Sequence, residues 1–166
     1  RDKAKRMVVE QRPWLVIGSP PCTMFSVLQN LNKNKTDPNK FNDEYKKAVI
    51  HVTFCAELYQ LQVDNGRYFL HEHPRTASSW NLDSMRKLLI NPGVGCVDSD
   101  MCQYGMKQED DHGEILPVMK PTRWLSNSPY ILNILSRRCA RDHRHVVLIG
   151  GRARQAQIYP EELRSE

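Results

Sequence analysis

Six apolar residues recur along one stretch of this chain at alternating spacings of four and three: Tyr45, Val49, Val52, Ala56, Tyr59 and Val63. That rhythm keeps one face of an α-helix apolar over about five turns, so the helix must lie against another layer. Asn42 or Asp43 can cap its start, and Asn65-Gly66 supplies a stop. Ahead of it, Trp14-Leu15-Val16-Ile17 is continuously apolar, as expected of a strand covered on both faces. Behind it, Arg67 to Leu70 read as a second strand that runs into His71-Glu72-His73-Pro74. A strand, a one-faced helix and a strand make a βαβ unit.

The rest of the pattern continues the alternation. A short helix up to Gln11 offers Met7, Val8 and Val9 and is broken by Pro13, while Leu31 to Asn42, rich in Lys and Asn, reads as a polar loop. Helices are predicted from Asp83 to Ile90 and from Pro129 to Arg138, and strands over Gly93 to Asp98 and Lys120 to Ser126. "GMKQEDDHGEILP", Gly105 to Pro117, reads as an irregular acidic excursion. "HVVLIGG" is a short apolar run before a last helical piece around Pro160 to Leu163. This predicts an α/β fold with a mainly parallel sheet and flanking helices. Ligands of such sheets gather at the carboxyl ends of the strands, where Cys22 and Glu72 both fall.

Length and composition set outer limits. The chain's 166 residues, 40% hydrophobic and 26% charged, suit one domain with a real core. The lack of an initiating Met suggests a segment of a longer polypeptide. No apolar run approaches the ~20 residues of a membrane helix, and no signal-peptide pattern opens the chain. Five cysteines without CxxC pairs (Cys22, Cys55, Cys96, Cys102, Cys139) point to reduced thiols and an intracellular setting, nuclear or cytoplasmic. The net charge of +5 permits a nucleic-acid partner without requiring one. Its basic excess is local: Arg137, Arg138, Arg141, Arg144, Arg152 and Arg154 face a single acid, Asp142, in the same stretch. They are candidate phosphate contacts, with a solvated basic surface as the plainer reading.

Cys22 is the first candidate for chemistry. Pro20 and Pro21 fix two successive backbone angles and hold the following side chain at the corner after the first strand. Most cysteines are small buried hydrophobes, which suffices for Cys55 and Cys96. A rigid loop at a sheet end, in contrast, usually presents something. Glu72 stands between His71 and His73, whose rings would point to one side of a strand. A metal site there would need two more ligands, which Cys139-x3-His143-x-His145 could supply only if the fold delivered them, so none is expected. A Cys-His hydrolase, with His71 or His73 as base for Cys22, lacks an oxyanion signature.

These residues carry a family resemblance. Gly18-Ser19-Pro20-Pro21-Cys22-Thr23-Met24-Phe25-Ser26 resembles the catalytic loop of cytosine-5 DNA methyltransferases, G-G-P-P-C-Q-G-F-S, at Gly18, Pro20, Pro21, Cys22, Phe25 and Ser26. Phe69-Leu70-His71-Glu72-His73 sits where that family has E-N-V. Asp100 to Gly105 followed by Lys120-Pro121-Thr122-Arg123 is similar to the approach to its Q-x-R-x-R motif, of which Arg123 keeps the last Arg. The resemblance runs from Trp14 to about Asn127, leaving residues 128–166 as a basic C-terminal segment of the same domain. It implies the C-terminal half of a Rossmann-like methyltransferase domain that acts on cytosine in DNA (or RNA) with S-adenosylmethionine. Cys22 would then be the nucleophile at ring carbon 6, Glu72 the acid at ring nitrogen 3, and Arg123 the donor to the ring carbonyl. The base would have to leave its duplex to reach them.

The departures matter as much. The family's Gly-rich cofactor loop and acidic ribose ligand precede the Pro-Pro-Cys loop, and nothing in Arg1 to Pro13 can be either. Thr23 replaces Gln, His73-Pro74 replaces Asn-Val, and no target-recognition domain fits beyond Asn127. The expectation is therefore an incomplete domain, inactive alone. The strings "PPCTMFS", "FLHEHP", "CQYG" and "KPT" are also similar to strings in retrotransposon-like polyproteins. A non-catalytic nucleic-acid-binding or scaffolding module of such a polyprotein is the alternative. Amino-methyltransferases with [D/N/S]-P-P-[Y/F/W] share Ser19-Pro20-Pro21, but Cys22 stands where their stacking aromatic should be.

Overall fold

The computed structural model describes residues 1–26, 29, 37–148 and 151–165. Helix α1 (Asp2–Gln11) leads through Arg12, in the left-handed region at φ 49°, into strand β1 (Leu15–Gly18). The long helix α2 spans Pro38–Asp64 and starts earlier than the sequence suggested. Asp37 is its N-cap, accepting a hydrogen bond from the Asn39 backbone N–H at 2.8 Å, and Pro38 takes the first turn, where its missing N–H costs nothing. Pro38 to Asn42 of the predicted polar loop are thus helical, and residues 31–36 of that loop lie outside the described residues.

The predicted stripe is where α2 meets its layer. Val52, Ala56 and Tyr59 are buried with Phe25, Phe69 and Leu125, and with Met85 and Leu88 of helix α3 (Asp83–Leu89). Tyr45, Val49 and Val63 pack at the margin of that cluster.

The sheet corrects the prediction of a mainly parallel architecture. Its order is β1, β2 (Tyr68–Pro74), β6 (Pro121–Ser126), β3 (Gly95–Asp100). Only β1 and β2 pair in parallel, Leu15 opposite Tyr68 and Gly18 opposite His71. β6 runs antiparallel to both β2 and β3, so the sheet is mixed and mostly antiparallel. The cause lies in the connections. α2 provides a crossover between β1 and β2, but β3 returns to the sheet through a hairpin rather than a helix, and β6 therefore enters reversed. That hairpin, β4 (Lys107–Glu109) with β5 (Ile115–Pro117), occupies the stretch predicted to be irregular.

Side chains alternate across a strand, and directly opposed residues share a face. Phe69, His71 and His73 therefore share the α2 face with Leu125 and Arg123, while Leu70 and Glu72 share the other with Ser126 and Trp124. On that second face a separate cluster buries Leu70, Met101, Tyr104, Met106, Val118, Trp124, Leu132, Leu135, Val146 and Ala156. It is closed by α4 (Pro129–Ile134), shorter than predicted, then by residues 137–148 without regular structure, α5 (Arg152–Gln155) and α6 (Glu161–Ser165). Of the predicted apolar run, residues 145–148 form no strand, and residues 149 and 150 lie outside the described residues. Among the described residues no helix is long and apolar enough to cross a membrane, and all five cysteines are free thiols.

Candidate active site

The corner after β1 is pinned from both faces of the sheet by adjacent residues of β2. Ser19 Oγ donates a hydrogen bond to the Glu72 carboxylate. One residue on, the Pro20 carbonyl faces His73 Nε2 at 2.8 Å. A carbonyl can only accept, so Nε2 carries the proton of the neutral ring, and Nδ1 accepts from Ser79 Oγ at 2.6 Å. Burial lowers the His73 pKa, which keeps that neutral tautomer. The stiffness of Pro20-Pro21 is thus backed by two cross-sheet bonds, and Cys22 opens the 3₁₀ turn Thr23–Phe25 whose Phe25 is buried in the core.

Gly18 has a different reason to be there. A Cβ at this position would run into Tyr59 Oη, so only glycine lets β1 end against α2. Gly18→Ala is expected to cost about 1–3 kcal/mol through overpacking, read as a lower urea midpoint at unchanged slope.

Cys22 is half-buried, and its thiol pKa is raised, first by burial and then by the nearby Glu72 charge. Glu72 itself is buried. Two residues not singled out by the sequence complete the surroundings. Lys120, with a left-handed backbone at φ 29°, places its ammonium 4.1 Å from the centre of the Tyr159 ring. Burial lowers the Lys120 pKa, while the charges of Glu72 and Cys22 pull it upward. Tyr159 packs on Trp124 with ring centroids 5.9 Å apart, and its phenol pKa is pushed up by burial and by Glu72. A half-buried thiol, a buried carboxylate, a shielded ammonium and a phenol thus gather where β2 runs on past the end of β1. "KPT" contained Lys120, but nothing near Tyr159 marked it.

Arg123 does not join them. It opposes His73 in the register and so lies on the α2 face, away from Glu72. Its guanidinium grips Asp98 with Nε–Oδ1 2.7 Å and Nη2–Oδ2 3.1 Å, and sits 5.7 Å from the Trp80 ring centre. There it borders a cleft of about 280 Å³ lined also by Phe25, Arg75, Ser78 and Trp80. The two histidines do share a side, as the alternation required, but they point into the core. His71 Nδ1 lies 3.0 Å from Tyr59 Oη, and both nitrogens of His73 are engaged, so neither forms a pair with Cys139, His143 or His145.

The basic segment spends much of its charge at home. Arg138 pairs with Asp100 (3.0 Å) and Asp98 (3.5 Å), Arg144 with Glu114 (3.4 Å), and Arg152 with Asp111. Arg137 lies over the Tyr104 ring at 5.1 Å. Arg141 and Arg154 are exposed and form no ion pair among the described residues. No metal site is expected from the sequence, but the structure brings Cys139, His143 and His145 of this segment together with Cys102 of the turn Met101–Tyr104.

In comparisons with known proteins, no family model, no curated protein and no solved structure matches this chain.

Proposed function

We propose that this chain is the base-activating part of a methyltransferase-like domain of the cytosine-5 type, acting on a cytosine turned out of DNA. The observation that carries the reading is the Ser19–Glu72 hydrogen bond, which ties the Cys22 loop to a buried carboxylate of β2 close enough for its charge to raise the thiol pKa. Cytosine is too electron-rich at carbon 5 to react unaided. Addition of Cys22 Sγ to carbon 6 shifts the 5,6 π-pair onto carbon 5, and a proton delivered to nitrogen 3 offsets the charge. Because burial and Glu72 keep the thiol protonated, its proton can pass to Glu72 and on to the ring nitrogen as the S–C bond forms. Lys120 and Tyr159 add a partly buried ammonium and phenol beside that carboxylate.

S-adenosylmethionine is the methyl donor the resemblance implies, but the described residues do not fit it. Among the described residues no strand leads through a Gly-rich turn into a helix. The outer edge of β1 has no strand partner among the described residues, and Trp14 and Ile17 are exposed there (72% and 65%). An open, apolar edge of this kind suits completion by further strands, and the chain alone is expected to show no turnover.

The test is covalent trapping on duplex DNA carrying 5-fluorocytosine, using the complete polypeptide and cofactor. An adduct that vanishes in Cys22→Ala is the expected result. No adduct with the complete polypeptide would remove catalysis from the reading.

A further inference from the structure

We propose that Cys102, Cys139, His143 and His145 form a structural zinc site that clips the irregular segment 137–148 onto the end of β3. The four candidate ligand atoms all lie within 4.8 Å of one another. Cys139 Sγ is 3.7 Å from His143 Nε2 and 3.4 Å from His145 Nε2. A tetrahedral zinc with ordinary Zn–S and Zn–N bonds separates sulfur from nitrogen by about 3.5 Å, so both edges already have the right length. The two imidazoles present their Nε2 atoms to the same sulfur with ring centroids 4.4 Å apart. Two thiols and two imidazoles are the donor set zinc prefers over calcium or magnesium, and four protein ligands leave no open position for catalysis.

The surroundings match a built site. His143 Nδ1 meets Asp142 Oδ1 at 2.8 Å, the carboxylate partner that orients a metal-bound imidazole. The Arg141 backbone N–H lies 3.2 Å from Cys139 Sγ, offering a donor to a thiolate. Arg141 reaches that position in the left-handed region, at φ 63°, a conformation a non-glycine residue adopts under local constraint. From the other side, Cys139 N–H bonds Asp100 Oδ2 at 3.0 Å, fixing the sulfur beside the turn Met101–Tyr104 that carries Cys102.

The need for a clip is physical. Residues 137–148 have neither helix nor strand, yet Val146 is buried in the second core cluster. Such a stretch has few backbone bonds to hold it, and a metal bridging it to β3 would fix it at one point. The same segment leads on to Tyr159 beside Glu72, so the clip also steadies the wall of the Cys22 corner. The zinc site does not depend on the methyltransferase reading.

The test is cobalt titration of the full chain, purified with reductant and stripped by chelator, with zinc as competitor. The expected result is a tetrahedral cobalt spectrum with a thiolate charge-transfer band, abolished by zinc and by Cys139→Ser, and kept by Cys55→Ser. Should Cys139→Ser fold poorly, His143→Gln and Asp142→Asn at exposed positions carry the test. The first should lose one nitrogen ligand from the spectrum, and the second should weaken affinity about 10- to 100-fold. Absence of binding, a spectrum indifferent to Cys139→Ser and His143→Gln, or a Cys102–Cys139 disulfide in its place would overturn the site.

Discussion

Between pH 7 and pH 5 the folded chain is expected to lose about 2 kcal/mol of stability through His71 alone. Its pKa is lowered from 6.5 to about 3, first by burial and then by the His73 ring beside it. The folded state therefore refuses a proton that the unfolded chain accepts below pH 6.5. The unfolded state binds more protons throughout that window, so stability rises with pH and is lost as pH falls. Tyr59, His73 and Trp80 face the ring, with centroids 5.5, 5.1 and 5.3 Å away, and none of them brings a negative charge that would favour imidazolium. His73, also lowered by burial, adds in the same direction. Above pH 5 ordinary carboxylates remain ionised, which separates this effect from general acid unfolding. Urea unfolding at pH 7 and pH 5, with chelator present so that metal loss does not contribute, measures it. His71→Gln should flatten the profile, and an unchanged midpoint in the parent chain would contradict the neutral, buried ring.

The same histidines show where the sequence could be read and where it could not. The α2 stripe is legible because a 3.6-residue period depends only on local spacing, and Val52, Ala56 and Tyr59 are buried as it requires. Cys22 does lie past the end of β1, but Glu72, read as lying just beyond the second strand, sits inside β2, which runs on to Pro74. The direction of β6 is not, since it depends on whether β3 returns by a helix or by a hairpin of three-residue strands, and the acidic stretch holds too few alternating residues to tell. Nor is the face of Arg123 legible. It follows from the register of β6 against β2, where a slip of one residue would exchange Arg123 with Trp124. Asp37-Pro38 was a readable helix start hidden in a polar run. Cys139-x3-His143-x-His145 held three of the four gathered ligands, but Cys102 joins them only through the β3 end. Tyr159 comes to Glu72 by folding across the second face, and no local pattern announces that.

Glu72→Gln is expected to move two reactions of Cys22 in opposite directions. The Glu72 charge is the second cause, after burial, of the raised thiol pKa. Removing it while keeping an amide that can still bond Ser19 should lower that pKa and leave the loop in place. For each unit of lowering, the thiolate fraction near neutral pH rises about tenfold, while the weaker basicity of the sulfur returns roughly a factor of three. Simple alkylation of Cys22 by iodoacetamide should therefore become about threefold faster per unit. Adduct formation with cytosine has the opposite demand, because an amide cannot carry the proton from thiol to ring nitrogen. There the same substitution should cost about 10²- to 10⁴-fold, the usual worth of a positioned acid–base group. Mass-spectrometric rates at Cys22 and trapping yields on 5-fluorocytosine DNA, taken on one preparation, measure both. Faster alkylation with undiminished trapping would leave Glu72 as an electrostatic neighbour only. Slower alkylation would mean that the carboxylate holds the corner open rather than setting the charge of the thiol.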